Sequence, residues 1–378
     1  MEYTKLKTIN EYVSKNVNPA KMPDTLFEMY SVPIYETGHP EYLLGSEIAS
    51  NKAVVQKNDI LLCKINPRIN RVWVVTDESE NPNIASSELI VVRSSEYNPE
   101  FLAWYFRSPR FKGLMVSEVT GIGGSLTRAQ PKAVAEYPVP VLARSQQDAI
   151  ASVLNNVNVI IQKRQQQLQK LDELVKARFV EMFGDQDLNP FGWEKKTIGE
   201  CCTLKSGTSL PAEIENEGGI VPYVKVGDMN HPGNERYITT SSRFVSEETA
   251  GKGLFDIGSI IFPKRGGAIG TNKKRMTKLP ICADLNVMGV SSNGELTSEY
   301  LFTYFDLIDM GKLADGSSVP QINNKNISPL KICVPPLEKQ VQFSECAKQI
   351  DKSRIPIQKA LDEAQLLFDS LMQTYFDE

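Results

Sequence analysis

The chain has 378 residues, of which 23% are charged and 41% apolar, and its net charge is −4. That length allows two or three domains, each able to bury a core, and the balance is that of a soluble globular protein. No run approaches the ~18 apolar residues of a membrane span, and the start, MEYTKLKTINEYVSKN, carries no apolar signal region, so a cytoplasmic protein without a membrane partner is expected.

In chain order, residues 1–144 mix short β-branched runs at 53–55, 60–63, 72–76 and 88–93 with Gly, Pro and Asn punctuation, which predicts strands and turns. Pro99 opens a short predicted helix over 99–107. The run 123–142, GGSLTRAQPKAVAEYPVPVL, closes this part. Residues 145–184 read differently: 145–183 contain neither Pro nor Gly, and apolar residues recur at alternating spacings of four and three. The series Ile150, Leu154, Val157, Ile161, Leu168, Leu171, Val175, Met182, with Arg164 and Arg178 interposed, is a heptad seam.

Residues 185–336 return to strands, at 220–226, 259–263 and 287–290, with a short helix over 298–307. Residues 337–378 repeat the heptad alternation at Ile350, Ile357, Leu361, Ala364, Phe368, Leu371 and Tyr375, with Arg354 interposed. The two runs are predicted to pair as an antiparallel coiled coil, each ~58 Å long at ~1.5 Å per residue. Pro356 lacks an amide donor, so a kink or restart is expected there. The competing reading is two amphipathic helices buried separately in globular cores.

The order of these parts is a duplication. Lys7-Thr8-Ile9-Asn10-Glu11 aligns with Lys196-Thr197-Ile198-Gly199-Glu200, Val32-Pro33 with Val221-Pro222, Gly38 with Gly227, and Asn58-Asp59-Ile60-Leu61 with Gly258-Ser259-Ile260-Ile261. Glu100-Phe101-Leu102 aligns with Glu299-Tyr300-Leu301, residues 123–142 with 316–337, and Met182-Phe183-Gly184-Asp185 with Tyr375-Phe376-Asp377-Glu378. The offset drifts from 189 to about 200 and back to 193, so order is kept while loop lengths differ. Two copies of this size make a domain duplication, not a solenoid. The fold class is α+β: two strand-rich domains, 1–144 and 185–336, with long helices at 145–184 and 337–378.

Residues that carry catalysis are scarce. The two histidines, His39 and His231, each lie beside a proline in a Gly-rich loop and read as exposed turn residues. The six cysteines (Cys63, Cys201, Cys202, Cys282, Cys333, Cys346) have no paired ligand spacing and read as reduced, mostly buried thiols; no metal is expected. GGAIGT at 266–271 lacks the following GK[ST] of a phosphate loop.

Residues suited to a polyanion are present instead. The run 264–278, KRGGAIGTNKKRMTK, holds six basic residues and no acidic one, whereas 337–378 holds 5 basic against 8 acidic. Lys264-Arg265 follow a predicted strand, Gly266-Gly267 permit close backbone approach to a phosphate, and Thr271, Asn272, Lys273, Lys274 and Arg275 follow. Arg can bridge guanine O6/N7 and Asn can bridge adenine N6/N7, so such a loop can both position and read DNA. Lys64, Asn66, Arg68, Asn70 and Arg71 occupy the equivalent place in the first copy.

The whole chain resembles the specificity subunits of type I restriction-modification systems. Val334-Pro335-Pro336-Leu337-Glu338-Lys339-Gln340 is similar to that family's helix start, with residues 139–146 as a weaker copy lacking the Glu. LDELVKARFVEMFGD at 171–185 is similar to its helix exit, Gly192-Trp193-Glu194 to its domain start, and FPKRGGAIG at 262–270 to its recognition loops. The resemblance implies a subunit without catalytic activity, whose two target recognition domains each read one half of a split, asymmetric double-stranded DNA target. It implies that the coiled coil sets the gap and docks two copies of a modification (methyltransferase) subunit. S-adenosylmethionine would be carried by those subunits, and ATP/Mg by a restriction (motor-nuclease) subunit, with no cofactor on this chain. The alternatives are a coiled-coil adaptor that does not touch DNA, or a self-contained nuclease.

Overall fold

The computed structural model describes residues 2–76, 78–117, 119–120 and 127–377, with backbone alone at 119, 120 and 252. Residues 123–126 and Glu378, both parts of the proposed repeat, lie outside the described residues. The chain divides into two compact units: Met1–Gln165 with Lys359–Glu378, and Gln166–Gln358.

In the first unit the apolar run Ile60–Cys63, ILLC, is buried at all four positions, as befits a central strand. It pairs antiparallel with Val72–Val74 on one side and Leu89–Val92 on the other, with Ile60 opposite both Val74 and Val92. A five-stranded sheet, in the order Asn16–Val17, Lys52–Val54, Asn83–Ala85, Leu26–Tyr30, Glu41–Leu44, packs beside it. In the second unit Ile260–Pro263 is the buried central strand, between Arg275–Thr277 and Val287–Ser292, with Ile260 opposite Met276 and Val290. Both units close with a strand pair, Tyr3–Lys5 with Pro138–Pro140 and Glu194–Thr197 with Lys331–Val334.

The duplication is therefore structural, but two of its alignments shift. The short helices Leu6–Ile9 and Ile198–Cys201 are equivalent: Leu6 N donates to Tyr137 O at 2.9 Å and Ile198 N to Leu330 O at 2.8 Å. Lys7 is thus helical while Lys196 lies in a strand, and the KTI tripeptides match only in letters. Likewise Val221-Pro222 sit inside the strand Val221–Val224, whereas Val32-Pro33 follow the strand Leu26–Tyr30; the strands pair alike, Tyr30 with Ala85 and Val224 with Ala283. Counting from those pairs moves the partner of Gly38 off Gly227 as well. Asn58 and Gly258 do correspond, at φ 71° and 85°, each donating its amide across the sheet at 2.9 Å, to Val75 O and Thr277 O.

Arg144–Phe183 and Leu337–Phe376 are helices of 40 residues each. The first ends where Gly184 takes φ 76° and its amide bonds Val180 O at 2.8 Å, the left-handed stop that MFGD encodes. The second runs unbroken through Pro356, without the expected restart. Pro356 and Lys352, whose carbonyl loses its partner, are both exposed, so water can satisfy the freed oxygen. Of the seam residues, Leu154, Val157, Ile161 and Val175 are buried, while Leu168, Leu171, Ile357, Leu361, Ala364, Phe368 and Leu371 are half-buried.

The helices pack together, antiparallel, and not in separate cores. In the first unit Ala151 and Leu154 share one cluster with Met372, Phe376 and the short helix Pro99–Arg107; Trp104 stacks edge-on to Phe368 at 5.4 Å. In the second unit Phe179 and Phe183 meet Phe343 at 5.5 and 5.6 Å and Tyr300, on Ser298–Asp306, at 4.9 and 4.8 Å.

A buried glutamine near the start of each long helix locks this junction. Gln340, fully buried, accepts from Thr297 N at 2.9 Å and donates to Pro335 O at 2.8 Å and Glu295 O at 3.0 Å. Gln147 accepts from Asn98 N at 2.8 Å and donates to Leu142 O at 2.9 Å. Asn98 and Thr297 are the N-caps of the two short helices, so one amide fixes the angle between short and long helix.

Replacing Gln340 by Ala leaves the Thr297 amide and two carbonyls without partners, so it should lower unfolding stability by about 1–3 kcal/mol. Lys359→Ala, at an exposed position, should change it by less than about 0.5 kcal/mol. Urea-melt midpoints read the contrast.

Candidate nucleic-acid interface

The loops after the two central strands share one backbone framework. Lys64 O accepts from Ala129 N at 2.9 Å and Asn66 N donates to Thr127 O at 2.8 Å; Lys264 O accepts from Ile322 N at 2.9 Å and Gly266 N donates to Pro320 O at 2.8 Å. Ile65 bridges Arg128 where Arg265 bridges Gln321. Each loop then enters and leaves a 3-10 turn through left-handed residues, Asn66 (φ 46°) and Asn70 (51°) around Pro67–Ile69, Gly266 (73°) and Asn272 (55°) around Gly266–Thr271. Only glycine and, less readily, asparagine hold that conformation at low cost. The alternating amides of the first loop therefore shape it, and the second loop is two residues longer between the same two bends.

Side chains on this framework have unlike fates. Lys64 Nζ donates to Ser87 O at 2.7 Å, Arg68 is exposed, and Arg71 is half-buried near the Cys63 thiol. Lys264 Nζ donates to Ser206 Oγ at 2.9 Å, and partial burial, then the neighbouring Arg265, hold its pKa down. Arg265 is exposed. At Gly266, Gly267 and Gly270 no atom beyond the adjoining chain lies within 4 Å of where a Cβ would stand, so the backbone is open to a ligand. Thr271 Oγ1 bonds back to Ala268 O at 2.6 Å, and Lys273 donates to Asn230 Oδ1.

Lys274 and Arg275 turn inward instead. Lys274 is 4% exposed, donating to Asn272 Oδ1 at 2.8 Å and Ile308 O at 2.6 Å, while Asn272 Oδ1 also accepts from Met310 N at 2.9 Å. Arg275 donates to Lys274 O at 2.8 Å and Met229 O at 3.0 Å. The surface cations of the second loop are thus Lys264, Arg265 and Lys273, with Lys278 over the Tyr237 ring at 4.0 Å. Arg128, exposed across the strand bridge from Ile65, belongs to the same edge of the first unit and had no sequence signal beyond its charge.

The far end of the second loop is braced against the long helices. Tyr237–Ile238 pairs in parallel with Arg275–Thr277. Preceding it, Arg236 lies 3.2 Å from Asp351, 3.7 Å from Asp172 and 3.9 Å from Asp306, and Arg354 reaches Asp172 at 2.7 Å. Tyr237 donates to Asp351. Burial pushes the Asp306 carboxyl above its ordinary value against the pull of Arg236, Lys176 and Lys274.

The arrangement can hold phosphates and donate to base edges. Among the described residues no group of three or more His, Cys, Asp and Glu is placed to hold a metal ion, and no helix is long and apolar enough to cross a membrane. His39 and His231 are both exposed, as expected of turn residues.

Residues 190–364 match a family model described as the type I restriction modification DNA specificity domain. The chain is 22% identical over 296 residues to the type I restriction enzyme MjaIX specificity subunit of Methanocaldococcus jannaschii, covering 72% of this chain and 67% of that one. It is 22% identical over 387 residues to the putative type I restriction enzyme MjaX specificity subunit of the same organism, covering 93% and 86%. Among solved structures it is similar in fold to the type I restriction-modification system S subunit from M. genitalium, with TM-score 0.55 and 14% identity over 99% of this chain and 96% of that chain.

Burial lowers the Lys274 pKa to about 8. Unfolded, the same lysine holds its proton to about pH 10.4, so between these values the unfolded state binds more protons and stability rises with pH. The stability of the wild type relative to Lys274→Met should therefore increase by roughly 1–3 kcal/mol as pH rises from below 8 to about 10. Denaturant melts across that range check it; a flat difference would contradict the inward placement.

Proposed function

We propose that this chain, which belongs to the type I restriction-modification specificity subunits, reads double-stranded DNA in two halves, one with each strand-rich domain. It is the DNA-recognition component of such a system and not its catalyst, and it works with partner subunits. Domains 1–144 and 185–336 are the target recognition domains, and the loops 64–71 and 264–278 approach the DNA. Lys264, Lys273 and Arg68 position phosphates, and Arg265 reaches a base edge. The paired long helices set the gap between half-sites and dock two modification subunits, which bring S-adenosylmethionine; a restriction subunit with ATP/Mg joins them. The cytoplasm is the compartment where such a system meets DNA.

One observation carries this reading: an equivalent backbone frame around Asn66 and Gly266 bears different side chains in the two units. A duplicated frame suits two equivalent encounters with one kind of ligand, and unlike side chains suit unlike half-sites. The buried glutamines support two docking sites for identical partners, since each helix junction is made twice from equivalent residues.

The Lys264→Ala, Arg265→Ala, Lys273→Ala triple variant, purified with its modification subunit, should bind target DNA more weakly. Its log–log salt dependence should flatten by ~0.9 for every phosphate it no longer neutralises. Binding titrations at several salt concentrations measure both. Unchanged affinity and slope would move DNA to another face, and no salt-sensitive DNA binding by the wild type would favour the adaptor.

A further inference from the structure

We propose that the turn 230–235 is a second base-reading element, working beside the basic loop on the same half-site; this rests on the DNA-recognition reading above. The turn follows the 3-10 helix Val226–Asn230 and exposes Asn230, His231, Pro232 and Gly233. Exposed tips of this kind are commonly loose, but this one is held from beneath by buried polar side chains. Asn234, fully buried, donates to Asp228 O and Thr240 O at 2.9 Å each and accepts from Thr239 N at 2.9 Å. Asp228, 4% exposed, accepts from Lys225 N at 2.7 Å and from Ser242 N and Oγ at 3.0 and 2.7 Å. Such satisfied buried networks fix one geometry, which is what a reading element requires.

The tip is also tied to the basic loop. Lys273 donates to Asn230 Oδ1 and Arg275 to Met229 O at 3.0 Å, so cations of one loop orient the other. With its carbonyl oxygen held by Lys273, Asn230 offers Nδ2–H donors, which match purine N7 or guanine O6. His231 brings an imidazole that can donate or accept. Glu235 accepts from Gly233 N at 3.0 Å, and a carboxylate there disfavours a phosphate while it can accept from cytosine N4. The division follows from charge: Lys264 and Lys273 meet the backbone, and the tip joins Arg265 at base edges. In the first unit His39 is engaged by Glu78 at 3.1 Å, so the inference covers the second unit alone.

His231→Ala and Asn230→Ser, each assembled with the modification subunit, would be given a random duplex library and the methylated products sequenced. One or two positions of a single half-site should lose base preference by roughly tenfold, with the salt slope and melting temperature unchanged. His231→Asn should shift the preferred base at the affected position. An unchanged sequence profile, or uniform weakening with a flatter salt slope, would overturn the inference. The triple loop variant separates the two levels: if it weakens binding while the tip variants read as wild type, only the tip proposal fails. If the loop variant is also silent, the DNA face itself is wrong.

Discussion

The core of each strand-rich half is closed by side chains that belong to the long helices. Phe179, Phe183 and Phe343 are buried around Tyr300, and Met372, Phe376 and Leu154 around Phe101 and Tyr105. Aromatic contacts of this kind contribute about 0.5–1.5 kcal/mol each beyond the area they bury. Removing the helices would expose a continuous apolar face on each short helix. The helices are therefore structural members of both units.

This constraint separates what can vary from what cannot. Gln147 and Gln340, the caps Asn98 and Thr297, and the tyrosine hydroxyls that bond the closing strands (Tyr105 to Pro138 O, Tyr304 to Lys331 O) are pinned by burial and geometry in both copies. Arg68 and Arg265 instead stand exposed on loops whose bends are made by Asn and Gly. Side chains at such positions can change without cost to the core, which is the property a specificity surface needs. The Arg236–Asp351–Asp172 cluster adds a brace in the second unit, holding the strand beside the basic loop to both helices.

Much of this was legible in the sequence because it rests on periodicity. The alternation from Leu154 to Val175 and from Ile357 to Leu371 follows the burial pattern, and the short helices fall within one residue of their expected ends. Register was less legible. KTI in both copies is a coincidence of letters, since burial of Leu6 and Ile198, not identity, marks the equivalent positions. Charge alone could not tell Lys274 from Lys273: one donates to the Ile308 carbonyl inside the fold and the other to Asn230 at the surface. Pro356 misleads in the sequence, because an exposed carbonyl gives up its helical partner at little cost. Gln147, hidden in a polar stretch, carries no signal without the position of its partner Asn98.

Exchange of one recognition domain tests the central claim most directly. Residues 1–142 would be replaced by the corresponding domain of a relative that methylates a known bipartite motif, with the helices and second domain untouched. Sequencing methylated adenines in cells carrying the hybrid and its modification subunit reads the result. One half of the motif should change to the donor's, while the other half and the gap stay the same. A change in both halves, or in the gap, would contradict two independent readers on a shared helical frame.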